Sequence, residues 1–211
     1  MTLSRKVKER IWTVAFMFLV TLVSMSAVSA LALATRERVE HNAALFLQRA
    51  VLEAAGLAAP AEPEALRARF EALARAETNA AGRAYYRVLD SDGQTPAALV
   101  FVRSGPGLWG AITAVVGVRP DFSALTGVTF TDQNETPGLG ARIAEPWFKA
   151  QFRGKRAPLR IVPEGSGATD PEAFDGITGA TITTAAVRDI LNRVLAEGAG
   201  AAPSAPAAAG P

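Results

Sequence analysis

The segment richest in chemistry is Asp175-Gly176-Ile177-Thr178-Gly179-Ala180-Thr181-Ile182-Thr183-Thr184. It leads directly into a run with Val187, Ile190, Leu191 and Val194 on one side, which predicts a helix from Thr181 to Leu195. Small residues let the backbone approach a ligand closely, and the four Thr side chains supply hydroxyl donors. A helix start adds unpaired N–H groups and the positive end of the helix dipole. This is chemistry for an anion, most naturally a phosphate. The same residues also describe a Thr-capped helix behind a tight glycine turn.

Two further segments could hold a planar ligand. Asn134-Glu135-Thr136-Pro137-Gly138-Leu139-Gly140 places one apolar side chain between two glycines after a strand pattern. Such a loop can lie against a flat ring while its amides reach the polar edge. Gly105-Pro106-Gly107-Leu108-Trp109-Gly110 frames an apolar, aromatic pair in the same way. Alone, the first also reads as an ordinary Pro-Gly turn, and the second as a hairpin leading into a strand with a core Trp.

These segments need a scaffold, and the hydrophobic periodicity supplies one. A-Y-Y-R-V-L-D (84–90) and A-A-L-V-F-V-R (97–103) read as strands flanking a turn at Ser91-Asp92-Gly93. L-W-G-A-I-T-A-V-V-G-V (108–118) and A-L-T-G-V-T-F (124–130) continue the series, which predicts an antiparallel sheet with a core face. A short helix is expected from Pro146 with Gly154 as its stop, and L-R-I-V (159–162) is a short strand. Upstream, Val39, Ala43, Phe46, Ala50 and Leu57 predict a helix from Arg36 that stops near Gly56, and Pro63 opens a second with Leu66, Phe70 and Leu73 on one face. The fold class is therefore α+β: an N-terminal membrane helix followed by a mostly antiparallel sheet with flanking helices.

Composition narrows the functions. Residues 1–35 hold Arg5, Lys6, Lys8 and Arg10 against Glu9, a balance of +3 in a chain whose net charge is +2, so the remainder stands at −1. A near-neutral body argues against a nucleic-acid partner, which needs clustered cations. There is no Cys, and His41 is the only His, so disulfides, cysteine-ligated iron–sulfur clusters and multi-histidine metal sites are excluded. No metal ligands and no general acid or base stand out.

Ile11 to Ala34 is an uncharged run of 24 residues. As a helix it spans about 36 Å, enough for a bilayer core of about 30 Å. Trp12 suits a headgroup anchor, and the basic residues before it keep that end cytoplasmic by the positive-inside rule. A cleaved signal peptide is the rival reading, but the run exceeds the usual apolar region of roughly 7–15 residues. Either way the domain is extracytoplasmic. The expected organisation is a basic N-terminus (1–10), a membrane helix (11–34), a helical linker region (35–80), a ligand-binding domain (81–195) and a disordered tail (196–211). Of the 16 residues in that tail, 14 are Ala, Gly or Pro, which leaves little to bury.

Taken in order, the anchor, L-E-A-A-G-L (52–57), G-P-G-L-W-G (105–110), E-T-P-G-L-G (135–140), W-F-K-A-Q-F-R-G-K (147–155) and D-G-I-T-G-A-T (175–181) resemble the RnfG/NqrC family of FMN-binding domains. The resemblance covers nearly the whole chain apart from the tail. It implies an electron-transfer subunit of an ion-translocating NADH oxidoreductase complex of Rnf or Nqr type, placed in the inner (cytoplasmic) membrane with a periplasmic FMN domain. The other subunits of that complex and the lipid bilayer are the implied partners. The alternative is a stand-alone or regulatory membrane-anchored flavoprotein. G-P-G-L-W-G resembles the NqrC branch, whereas the short chain is more like RnfG. Thr178 stands where Ser is also common, so the hydroxyl is kept.

The resemblance further implies that FMN is joined covalently to Thr181 by a phosphoester, formed from FAD by a flavin transferase with magnesium. Thr178, Gly179, Ala180, Ile182 and Thr183 would surround the phosphate, while Asp175 and Gly176 would serve recognition by the transferase. A flavin ring needs an apolar face and donors at its polar edge. Leu108, Trp109 and Leu139 are the expected apolar contacts; Glu135, Thr136 and the amides near Gly138 and Gly140 are the expected polar ones. Lys149 could reach the phosphate or the flavin edge, or be a solvated helix residue.

Overall fold

The computed structural model describes residues 5–79, 82–167 and 169–199. The chain divides into two compact units, one ending at Ala44 and one beginning at Leu45.

The first unit is helical throughout its described residues. One helix, α1, runs from Arg5 to Ala54, where the sequence predicted a membrane helix and a separate one after it. The reason is that neither Gly nor Pro occurs before Gly56, so nothing interrupts the hydrogen-bond ladder. Within Ile11–Ala34 the large apolar side chains are exposed, Trp12, Phe16, Phe18 and Leu33 among them. This segment is long and apolar enough to cross a membrane.

The second unit begins with the last turns of α1. Gly56 ends the helix at φ +83°, with Leu57 N–H donating to Leu52 O and Gly56 N–H to Glu53 O, both at 2.9 Å. This is the glycine-terminated helix end that the sequence placed here. Then follow α2 (Pro63–Leu73) and five strands, β1 (Ala74–Thr78), β2 (Ala84–Leu89), β3 (Pro96–Pro106), β4 (Ala111–Val118) and β5 (Leu125–Asp132). They pair in chain order as an antiparallel meander. A 3₁₀ turn (Gly140–Ala144), α3 (Pro146–Ala150), the parallel pair β6 (Arg160–Val162) and β7 (Ala173–Asp175), and α4 (Thr181–Ala199) complete the unit.

Three boundaries differ from the sequence expectation. Segment 35–80 is not wholly helical, because β1 lies in it as an edge strand; A-R-A-E-T lacks apolar alternation, and only Ala74 in it is buried. The tail does not begin at 196, because α4 continues to Ala199. Glu197 is held there by Arg83 and Arg103, each at 2.8 Å. Residues 200–211 lie outside the described residues. Finally, β3 runs on to Pro106 and Gly107 N–H donates to Gly110 O at 2.7 Å, so Leu108 and Trp109 form a hairpin tip and do not open β4.

Both faces of the sheet are buried, where alternation suggested one core face. On one face Ile112, Ala114, Val116 and Val118 of β4 join Phe148, Phe152 and the Val187, Ile190, Leu191 and Val194 stripe of α4. On the other, Val88, Val100 and Val115 pack against Ala50, Val51, Leu52 and Ala54 of α1 and Leu66 of α2. The end of α1 sits directly on the backbone of β4 and β5. Gly117 and Gly127 are cross-strand partners, and a Cβ on Gly117 would lie 2.0 Å from Ala54 O. Thr126 Oγ1 donates to that same carbonyl at 2.7 Å. Replacing Gly117 with Ala forces the helix off the sheet. We expect a loss of about 3 kcal/mol in chemical denaturation, above the effect of Gly93→Ala, where nothing would meet the Cβ and the only penalty is the left-handed backbone at φ +69°.

Candidate functional site

Three chain segments converge on one buried carboxylate. Glu135 is 4% exposed. Its Oε1 accepts the N–H of Leu108 at 2.9 Å and of Trp109 at 3.1 Å, and its Oε2 accepts from the Thr183 hydroxyl. The β3–β4 hairpin tip, the loop after β5 and the start of α4 are thereby fastened together. Glycine makes the approach possible: a Cβ on Gly107 would stand 2.6 Å from Glu135 Oε1, and one on Gly140 would stand 2.6 Å from Thr183 Oγ1. Trp109 Nε1 donates to Thr136 Oγ1 at 3.0 Å, which sets the indole against the loop after β5. Leu139 reaches the segment just before α4, with its Cδ2 3.0 Å from where a Gly179 Cβ would be. Gly138 and Gly179 take φ +74° and +79°, conformations that disfavour other residues.

The same fastening sorts the Thr residues. Thr183 and Thr184 are buried, with Thr183 on Glu135 and Thr184 Oγ1 donating to Ala180 O at 2.9 Å. Ala180 is also buried. Thr178, Gly179, Thr181 and Ile182 are exposed. A groove of about 450 Å³ is lined by Thr178, Gly179 and Thr181, with Gly176, Ile177, Thr184 and β6 residues 161–162. Leu139, at the groove residue Gly179, is 42% exposed, and on the hairpin tip that Glu135 fastens Trp109 is 70% exposed and Leu108 49%. The core-Trp alternative for Trp109 is therefore excluded.

Three expected contacts are placed elsewhere. Glu135 is not presented to a ligand; its carboxylate accepts from three donors inside the protein, one of them the Thr183 hydroxyl, which is thereby also turned inward. Lys149 lines a separate groove with Glu53, Gly127, Thr129 and Arg153, because α3 turns that face toward the end of α1. Asp175 is buried at the end of β7. Its Oδ2 accepts from Gly165 N–H at 3.0 Å and Gly167 N–H at 3.1 Å, which shapes the turn after β6. Gly176 N–H extends the parallel pair to Val162 O at 2.8 Å, and a Cβ there would meet Ile161 at 2.9 Å.

The sequence reading missed Glu164 and Arg142. Glu164 lines the groove; Oε1 accepts from Arg142 Nη2 at 2.7 Å and Oε2 from Thr178 N–H at 2.7 Å. The Arg142 hydrogen bond, followed by those of Thr178, holds the Glu164 carboxyl down at about 2. Arg142 also stacks over Trp147, 5.3 Å from the ring centroid. Arg142 follows directly on E-T-P-G-L-G-A, which was its one available signal.

A helix start with exposed hydroxyls and a groove against it has the chemistry to hold an anion, and the exposed apolar side chains nearby suit a flat apolar group. Residues 107–196 match the FMN-binding domain family, a span that contains all three converging segments. The NqrC protein of the Na(+)-translocating NADH-quinone reductase of Yersinia pestis is 39% identical over 100 residues, 44% of this chain and 38% of the relative. The NqrC protein of Vibrio vulnificus is 32% identical over 165 residues, 74% of this chain and 60% of the relative. The matches thus span 60% or less of the length of these relatives. NqrC of Shewanella oneidensis shares the fold at a TM-score of 0.62 and 23% identity, covering 71% of this chain and 90% of that one. Its counterpart from Parabacteroides distasonis gives 0.61 and 24%, covering 76% and 92%. Over residues 107–196 the chain is an FMN-binding domain, similar in sequence and fold to these NqrC proteins.

The Glu135 bonds carry a stability prediction. Glu135→Ala leaves two buried amides and a hydroxyl without an acceptor and should cost about 3 kcal/mol. Hydrogen exchange checks the cause: the Leu108 and Trp109 amides should lose protection, while β5 stays protected.

Proposed function

We propose that this chain is the FMN-carrying electron-transfer subunit of a membrane-bound, ion-translocating oxidoreductase of Nqr type, with FMN joined to Thr181 through its phosphate. The observation that carries the reading is the position of Thr181. Its hydroxyl is exposed at the first residue of α4, on a groove whose neighbours are Thr178 and Gly179. Helix-start amides there lack intrahelical acceptors and suit a phosphoryl group.

The residues present fit the cofactor. Thr178, Gly179, Ala180 and Ile182 would surround the phosphate with amides and hydroxyl. Leu108, Trp109 and Leu139 supply the apolar wall that a flavin ring needs, with Thr136 and the amides near Gly138 and Gly140 at its polar edge. When bound, FMN supplies reversible electron transfer. The chain's own part is to hold and orient: Glu135 and Thr183 fix the three loops, and Leu139 closes over Gly179. Asp175 and Gly176 set the shape of the acceptor segment that a flavin transferase would read. No general acid or base is required of a subunit that passes electrons between partners.

The basic residues Arg5, Lys6, Lys8 and Arg10 ahead of the apolar stretch orient α1 with its start in the cytoplasm, so the flavin domain faces the periplasm. Covalent attachment suits that side, where a dissociated flavin would be lost. The test is co-expression of the exported full chain with a flavin transferase. After denaturation the protein should remain yellow and carry the mass of one FMN. Thr181→Ala should abolish both. A wild-type protein that turns colourless at its unmodified mass sinks the proposal.

A further inference from the structure

A carboxylate occupies the place where the acceptor loop would hold an anion. Glu164 Oε2 takes the Thr178 N–H at 2.7 Å, on the groove that Thr181 lines. A fixed negative charge beside a phosphate site opposes phosphate binding, so a bare cradle would be better without it. The groove nevertheless builds Glu164 in, with Arg142 bonded to its other oxygen at 2.7 Å.

We propose that Glu164 is a resident substitute for phosphate, which closes the acceptor loop to free phosphate-bearing anions and yields only to a phosphoryl group tethered at Thr181. The inference rests on the reading of this groove as the phosphate site. In the exchange, the Thr178 amide and the Arg142 guanidinium pass from carboxylate to phosphate. Arg142 is positioned to remain behind, because Trp147 and Glu145 hold it independently of Glu164, at 5.3 Å and 3.5 Å. The backbone near Glu164 is pinned by Asp175 through Gly165 and Gly167, so the side chain is the moving part.

The selectivity follows from effective concentration. A free anion must displace a carboxylate that is already hydrogen-bonded twice and is held to the same chain. A phosphoryl group esterified to Thr181 competes as an intramolecular partner, at the millimolar or higher local concentration of a short tether. Glu164 thus sorts tethered phosphate from free phosphate without contacting a flavin ring.

The test uses the full chain carrying Thr181→Ala in phosphate-free detergent, titrated with inorganic phosphate and followed by phosphorus-31 line broadening. Adding Glu164→Ala should tighten phosphate binding by about tenfold or more, as expected for removing a close like charge. Adding Arg142→Gln as well should cancel that gain. Glu164→Gln, which keeps the shape and removes the charge, should shift affinity the same way and serves if the Ala variant does not fold. Equal phosphate affinity with and without Glu164, or no binding in any variant, overturns the inference. No variant in this series carries the ester oxygen, so such a failure leaves the labelling of Thr181 unaffected.

Discussion

The site depends on the buried carboxylate of Glu135. Its three donors come from the β3–β4 tip, which supplies two backbone amides, and from the first turn of α4, which supplies a hydroxyl. None of these groups could remain buried without an acceptor, so the carboxylate sets the spacing of all three segments at once. The glycines follow from it. Gly107 and Gly140 are small because the carboxylate and its Thr partner occupy the space where a Cβ would go. Once the tip and the helix start are fixed, Leu108 and Trp109 can remain exposed at the tip, while Thr181 and Ile182 face outward from the same helix turn that buries Thr183.

A second close approach secures the body of the domain. The carbonyl of Ala54 lies on the paired glycines of β4 and β5, and Thr126 donates to it. The last turns of α1 are therefore part of the sheet's hydrophobic layer and no mere spacer. With α3 and α4 on the other face, the central strands are buried on both sides, which explains the near-continuous apolar run of β4.

Much of this was legible in the sequence. Period-two alternation marked β2 to β5, Gly56 marked the end of α1, and Pro63, Pro146 and Thr181 marked helix starts. Taken singly, the three loops also read as ordinary turns or a capped helix start; they were legible as chemistry only through their order along the chain, which resembles a known family. What was not legible depended on partners distant in sequence. Glu135 looked like a ligand contact because its position in a Pro-Gly loop suggests exposure; its burial comes from donors 26, 27 and 48 residues away. Lys149 looked close to the site because W-F-K-A-Q-F-R-G-K is part of the family resemblance, yet α3 turns it to another groove. Glu164 gave no signal, since its meaning comes from Arg142 and Thr178, 22 and 14 residues away. Strand β1 lacks the alternation that a half-buried strand would show.

The central claim is that Thr181, the one exposed Thr in the first turn of α4, receives the phosphate. Trypsin releases residues 161–188 as one peptide, which holds Thr169, Thr178, Thr181, Thr183 and Thr184 together. Tandem mass spectrometry of that peptide, from protein matured with a flavin transferase, locates the attachment directly. The account predicts the FMN mass on Thr181 and on no other residue. FMN on Thr178, Thr183 or Thr184, or a wholly unmodified peptide, would contradict it.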